Sequence, residues 1–275
     1  MNRPRPGASA GLSPPGLSPI TPMRSWKQAV ARAFNGAEGY DGAAAIQALV
    51  ADRLAARIAA APLAPAPRIL EVGCGTGLLT GALHRAFPDG SLLATDLAPA
   101  MILRCRTRLS RAQALRLCVM DAERPCLAPG FDLIASSLAA QWFEDLAGTL
   151  ARLAGLLAPG GLLAVATLAS GTFAEWRAAH AALGLEAATP RYPTRADLAA
   201  LTIPGCTLAV STEPLGESHA DGRAFLGALR AIGAGTPGAG TPLSPGALRR
   251  VLRRFEAGGA QVTYEVASLI IRREP

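Results

Sequence analysis

The chain has 275 residues, of which 50% are hydrophobic and 5% aromatic, and a formal net charge of +7. That suits one large domain, or one and a half, around a sizeable core. No run of about 18 apolar residues offers a membrane span, no apolar stretch behind Arg3 and Arg5 makes a secretory leader, and the five scattered cysteines hold no C-x-x-C or Cys/His spacing for zinc.

A cytoplasmic protein with reduced thiols is expected. The basic excess is arginine, Lys27 being the only lysine. It reads either as a coding bias or as a basic surface for an acidic partner: nucleic acid, membrane or an acidic carrier protein.

Residues 1–22 are rich in Pro, Gly and Ser and are expected to be a disordered tail. Residues 23–66 read as a helical N-terminal segment broken near Asn35–Gly42. Its second half aligns Ile46, Leu49, Val50, Leu54 and Ile58 on one face. From 67 onward strands and helices alternate: strands at Ile69–Val72, Leu92–Asp96, Ala114–Met120, Phe131–Ser136 and Leu162–Leu168, helices at Leu78–Ala86, Pro99–Arg108 and Asp145–Leu157, and a turn at Pro159–Gly161. Such alternation predicts an α/β domain with a parallel sheet, helices on both faces and ligands at the carboxyl ends of the strands. The last third changes character. Helices are expected at Thr172–Leu183, Asp221–Ala231 and Pro245–Ala257, strands at Thr207–Glu213 and Gln261–Arg272, with a helical insertion at about 172–257 over the ligand edge.

The chemistry gathers at strand ends. The first strand runs into Glu71-Val72-Gly73-Cys74-Gly75-Thr76-Gly77 and then a helix. Glycines there let backbone N–H groups approach a nucleotide-like ligand. The G-x-G-x-G spacing differs from the G-x-G-x-x-G of dinucleotide sites. Asp96 ends the second strand and can accept from both hydroxyls of a ribose, which alone would fit NAD as well. Asp121 follows the third strand and can accept from an adenine amine, with the next N–H, of Ala122, for a ring nitrogen. Both aspartates would also serve as helix N-caps. Cys74 reads as a small filler rather than a nucleophile.

Residues 27–170 resemble the class I S-adenosylmethionine-dependent methyltransferases, a Rossmann-like fold with a seven-stranded, mostly parallel sheet. More narrowly the chain resembles the malonyl-acyl-carrier-protein O-methyltransferase family of biotin synthesis. The similarity rests on Lys27–Phe34, Tyr40-Asp41, Val50–Leu54, Ser136-Ser137-Leu138-Ala139-Ala140-Gln141-Trp142 and Leu229-Arg230-Ala231-Ile232-Gly233-Ala234. Ser137 stands where that family has Asn, and Arg230 where it has Lys.

The resemblance implies S-adenosylmethionine as co-substrate and no metal. It implies Glu71, Gly73, Gly75 and Gly77 around the methionine part and ribose, and Asp96 on the ribose hydroxyls. Leu97 and Met101 would flank the adenine, Asp121 and Ala122 would read it, and Ser136 and Ser137 would lie by the transfer point. Tyr40, on an N-terminal helical lid, would close over the cofactor. Tyr40, Gln141, Trp142 and Arg230 are the acceptor-site candidates. A malonyl carboxylate is ionised at neutral pH, so no general base is required. The implied partner is malonyl-loaded acyl-carrier protein, docking through Arg249, Arg250, Arg253 and Arg254 or leaving them as a solvated helix face, with no nucleic-acid or membrane partner. The competing readings are a methyltransferase for another small acceptor and a non-catalytic cofactor-binding protein.

Overall fold

The structure is a computed structural model that describes residues 25–36, 42, 44–112, 114–232 and 243–275. The expected tail at 1–22, Tyr40 and residues 233–242, with Gly233 and Ala234 of the family-like segment, lie outside the described residues.

Two helices, α1 (Ser25–Asn35) and α2 (Ala45–Ala59), precede the alternating region. It runs β1 (Arg68–Val72), α3 (Leu78–Ala86), β2 (Ser91–Asp96), α4 (Pro99–Arg108), β3 (Leu115–Val119), β4 (Phe131–Ser137), a 3-10 turn at Ala140–Trp142, α5 (Leu146–Ala154) and β5 (Leu157–Leu168). Then come α6 (Ala174–Ala181), α7 (Arg195–Ala199), β6 (Cys206–Ser218), α8 (Gly222–Ala231), α9 (Pro245–Ala257) and β7 (Gln261–Arg273).

The strands form one sheet in the order β3-β2-β1-β4-β5-β7-β6. Neighbours from β3 to β5 pair in parallel, and β7 runs antiparallel to both β5 and β6. This is the expected seven-stranded, mostly parallel sheet. The order reverses between β1 and β4, the switch point where a crevice opens at the carboxyl ends.

Side-chain alternation builds a core on each face. Ile69, Leu133, Leu162, Ala164, Val262, Tyr264 and Val266 face residues of α2, α3, α6, α8 and α9. Leu70, Val72, Ile134, Leu163, Val165, Ala267, Leu269 and Ile271 face α5 and Leu198 of α7. Period-two alternation sends neighbours to opposite faces, which is why both cores draw on the same strands.

Four expectations are corrected. Leu49 is 40% exposed, because the buried stripe of α2 runs through Ile46, Val50, Leu54 and Ile58 with Gln47, Ala51 and Ala55, leaving Leu49 on the outer side. The Pro159–Gly161 turn lies inside β5 as an irregularity: Phe131 pairs with Leu157, but Leu133 pairs with Leu162. Helix α7 lies where no element was expected, and the Thr207–Glu213 strand extends to Ser218. The stretch 172–257 therefore carries an edge strand as well as helices.

Candidate functional site

One cavity sits at the carboxyl ends of β1, β2 and β4, enclosing about 950 Å³, part of it open to solvent. Glu71, Gly73, Gly75, Asp96, Leu97, Asp121, Ala122, Ser137 and Trp142 line it, so most of the residues singled out from sequence meet at one place.

The glycine loop is shaped by its neighbours. Gly73, Gly75 and Gly77 all have positive φ, a region in which side chains are rarely tolerated. At Gly73 the reason is also steric: a Cβ there would lie 2.3 Å from the Cβ of Ala139. Asp96 ties the loop to β2, its Oδ2 accepting from Gly75 N–H at 2.9 Å and its Oδ1 from Ala98 N–H at 2.8 Å. Burial pushes the Asp96 carboxyl up, against those backbone donors. Each oxygen keeps a second lone pair for a hydroxyl.

Glu71 is 1% exposed and its Oε2 has no hydrogen-bond partner. Burial pushes its carboxyl up to about 8, with the Thr80 hydroxyl working the other way. A buried, unsatisfied acid beside a glycine loop suits a cationic group that has yet to arrive. The residues present therefore fit S-adenosylmethionine: a cradle that excludes side chains, an orphaned acid for its cationic end, and two carboxylates for ribose and purine.

Cys74 is buried with Ala94, Ile102 and Cys105, as a filler should be. A hydrogen bond from the Cys74 thiol favours ionisation of the Cys105 thiol and disfavours that of Cys74.

At Asp121, Oδ1 accepts from Glu123 N–H at 2.9 Å, and Oδ2 meets the Lys27 ammonium at 2.5 Å. Lys27 also lies 2.5 Å from Glu123 Oε2. Glu123 Oε1 accepts from Asp145 N–H at the start of α5. Burial raises the Glu123 carboxyl, but Lys27 and the Asp145 and Glu144 N–H groups outweigh it and hold the acid below its ordinary range.

Helix α1 covers this end of the cavity. Trp142 packs on Trp26 at 6.2 Å and edge-on against Phe34 at 5.6 Å. Asn35 Oδ1 accepts from Ala100 N–H at the start of α4.

Several candidates lie elsewhere. Gly77 does not line the cavity: it starts α3 and faces Cys105. Met101 is wholly buried with Ala98 and Phe34 behind the wall. Ser136 is fully buried in β4 with its hydroxyl unpaired, and only Ser137 reaches the cavity. Gln141 donates to Leu138 C=O at 2.7 Å and accepts from Thr167 at 3.4 Å, so its amide bridges the ends of β4 and β5. Arg230 is exposed in the last turn of α8 and lines no part of the cavity. The four arginines of α9 are all exposed, while Val251, Leu252 and Phe255 are buried.

Two features escaped sequence reasoning. Lys27 stood out only as the lone lysine and the first residue of a family-like segment, with no role assigned. Leu138 adopts a left-handed conformation, φ 50°, at the end of β4 and lines the cavity. Such strain in a branched residue marks sites whose surroundings over-determine it.

Comparison with known proteins points the same way. A family model described as a methyltransferase domain matches residues 70–165. The chain is 48% identical over 255 residues to the biotin biosynthesis bifunctional protein BioCD of Bordetella avium, covering 91% of this chain but 53% of that longer protein. It is 42% identical over 241 residues to the malonyl-acyl-carrier-protein O-methyltransferase of Magnetococcus marinus, covering 86% of this chain and 89% of that one. In fold it matches an N-methyltransferase of Haemonchus contortus solved with phosphomonomethylethanolamine and S-adenosylhomocysteine, with a TM-score of 0.56 at 14% identity over 92% of this chain and 61% of that one.

Proposed function

The chain belongs to the malonyl-acyl-carrier-protein O-methyltransferase family, and from that premise we propose that it methylates the free carboxylate of a malonyl group on acyl-carrier protein, giving the methyl ester for an early step of biotin synthesis. The observation that carries this reading is the convergence of the glycine loop, Glu71, Asp96 and Asp121 on one cavity at the sheet's switch point.

Bound there, S-adenosylmethionine supplies a methyl group already activated on a sulfonium. The chain has to bind, orient and exclude water. Glu71 and the loop N–H groups receive the methionine end, Asp96 the ribose hydroxyls, and Asp121 with Ala122 N–H the purine. Ser137 and the strained Leu138 border the transfer point. Helix α1 acts as the lid, with Trp26 and Phe34 closing on Trp142. The acceptor is a carboxylate, so no side chain need remove a proton. Because Gln141 is spent on Leu138 and Thr167, it serves to hold the β4 and β5 ends in place rather than to touch the acceptor. The basic face of α9 is the docking surface for the acidic carrier. No helix among the described residues is long and apolar enough to cross a membrane.

The deciding experiment is intact mass spectrometry of malonyl-acyl-carrier protein incubated with the enzyme and S-adenosylmethionine, beside malonyl-CoA and acetyl-carrier controls. One added methyl on the malonyl-carrier and none on the acetyl-carrier is expected. Cofactor binding without transfer would move the acceptor to another small molecule.

A further inference from the structure

Among the described residues lining the cavity, Lys27 is the single cation, set against Glu71, Asp96, Asp121 and Glu123. It is 8% exposed and comes from α1, an element outside the sheet domain's chain order. Its ammonium touches two acids that flank one residue, Ala122. Both oxygens of Asp121 are thereby fixed, one by Glu123 N–H and one by Lys27. A carboxylate held at both oxygens cannot rotate, and its remaining lone pairs have a fixed direction. The same contact ties α1, through Glu123 and the Asp145 N–H, to the start of α5.

This arrangement separates charge along the cavity. At the glycine-loop end Glu71 stands without a cation. At the Asp121 end the cation is built in. A ligand with a cationic end and a neutral purine end matches that division.

We propose that Lys27 is a positioning residue for the cofactor's purine: it aims the Asp121 carboxylate at the exocyclic amine and so couples the docking of α1 to cofactor binding. The inference rests on the reading of Asp121 as the group that accepts from the purine. Coupling of this kind is reciprocal, so whatever Lys27 adds to cofactor affinity the cofactor returns to α1 docking.

The test is calorimetry with S-adenosylhomocysteine on the full chain, as wild type, Lys27→Met, Asp121→Asn and the double variant, with Lys27→Gln as a second, hydrogen-bonding replacement. Expected are a loss of at least tenfold in affinity for Lys27→Met and for Asp121→Asn, and a double variant no weaker than Asp121→Asn alone. Hydrogen exchange in α1 should slow on adding S-adenosylhomocysteine to the wild type, and not in Lys27→Gln. Wild-type affinity in Lys27→Met, or losses that simply add in the double variant, would overturn the proposal, the latter showing a merely structural role. A wild type that binds no S-adenosylhomocysteine would instead bring down the cofactor reading, and this inference with it.

Discussion

Glu71 is where a single side chain sets the pH response. An ordinary glutamate in an unfolded chain ionises at about 4.3, whereas burial holds Glu71 protonated up to about 8. The unfolded chain therefore releases this proton first as pH rises. The stability tied to the buried neutral acid is whole below about pH 4 and is lost progressively up to about pH 8. Glu71→Gln removes the ionisation but keeps the shape. Its unfolding midpoint in urea should gain on the wild type as pH is raised from 5 to 9, while its affinity for S-adenosylmethionine falls. At Gly73 the constraint is space. Gly73→Ala would drive a methyl into Ala139 at positive φ, and calorimetry should find cofactor binding abolished. Adding Ala139→Gly should recover only part of it, since the φ strain remains. Glu71, Gly73, Gly75, Asp96 and Asp121 were legible because each sits at or just after a strand end, where local pattern names both residue and place. Lys27 was not, because its partners lie 94 and 96 positions away in sequence and no periodicity links them. Arg230 and Gln141 were chosen by likeness of motif. The structure exposes the first at a helix end and uses up the second in joining two strands.

Among the elements, α3, α4 and α9 begin and end where the sequence reading put them, at Leu78–Ala86, Pro99–Arg108 and Pro245–Ala257. Helix α7, at five residues, is too short for a period to show. Its signal was the Thr194-Arg195-Ala196-Asp197 capping box, in which Thr194 and Asp197 bond each other's backbone N–H. Thr194→Ala should cost about 1 kcal/mol, seen as a thermal midpoint lower by about 2–4 °C. Helix α9 divides cleanly, with Val251, Leu252 and Phe255 inward and Arg249, Arg250, Arg253 and Arg254 outward. Reversing all four charges should raise KM for malonyl-carrier protein at least tenfold and leave calorimetric affinity for S-adenosylhomocysteine unchanged. An unchanged KM would return the helix to the status of a solvated face.

For the whole molecule, the doubly wound half was readable from β–α alternation, since parallel neighbours join through long crossovers that are mostly helical. The last two strands were recognisable as strands but not as neighbours. Their order depends on which edge of the sheet remained open, and no local pattern states that. Strand β7 lies between β5 and β6, pairing with β6 along its whole length and with β5 from Val266 to Arg272. On the ribosome, therefore, β5 emerges with an unsatisfied edge and β6 with no partner in the sheet, and both wait through the synthesis of α8 and α9. Exposed strand edges invite pairing with other chains, so this interval is the nascent protein's window for aggregation and for chaperone capture. Stalled chains ending at residue 257 should be digested rapidly by protease, and chains carrying all of β7 clear of the exit tunnel should resist it.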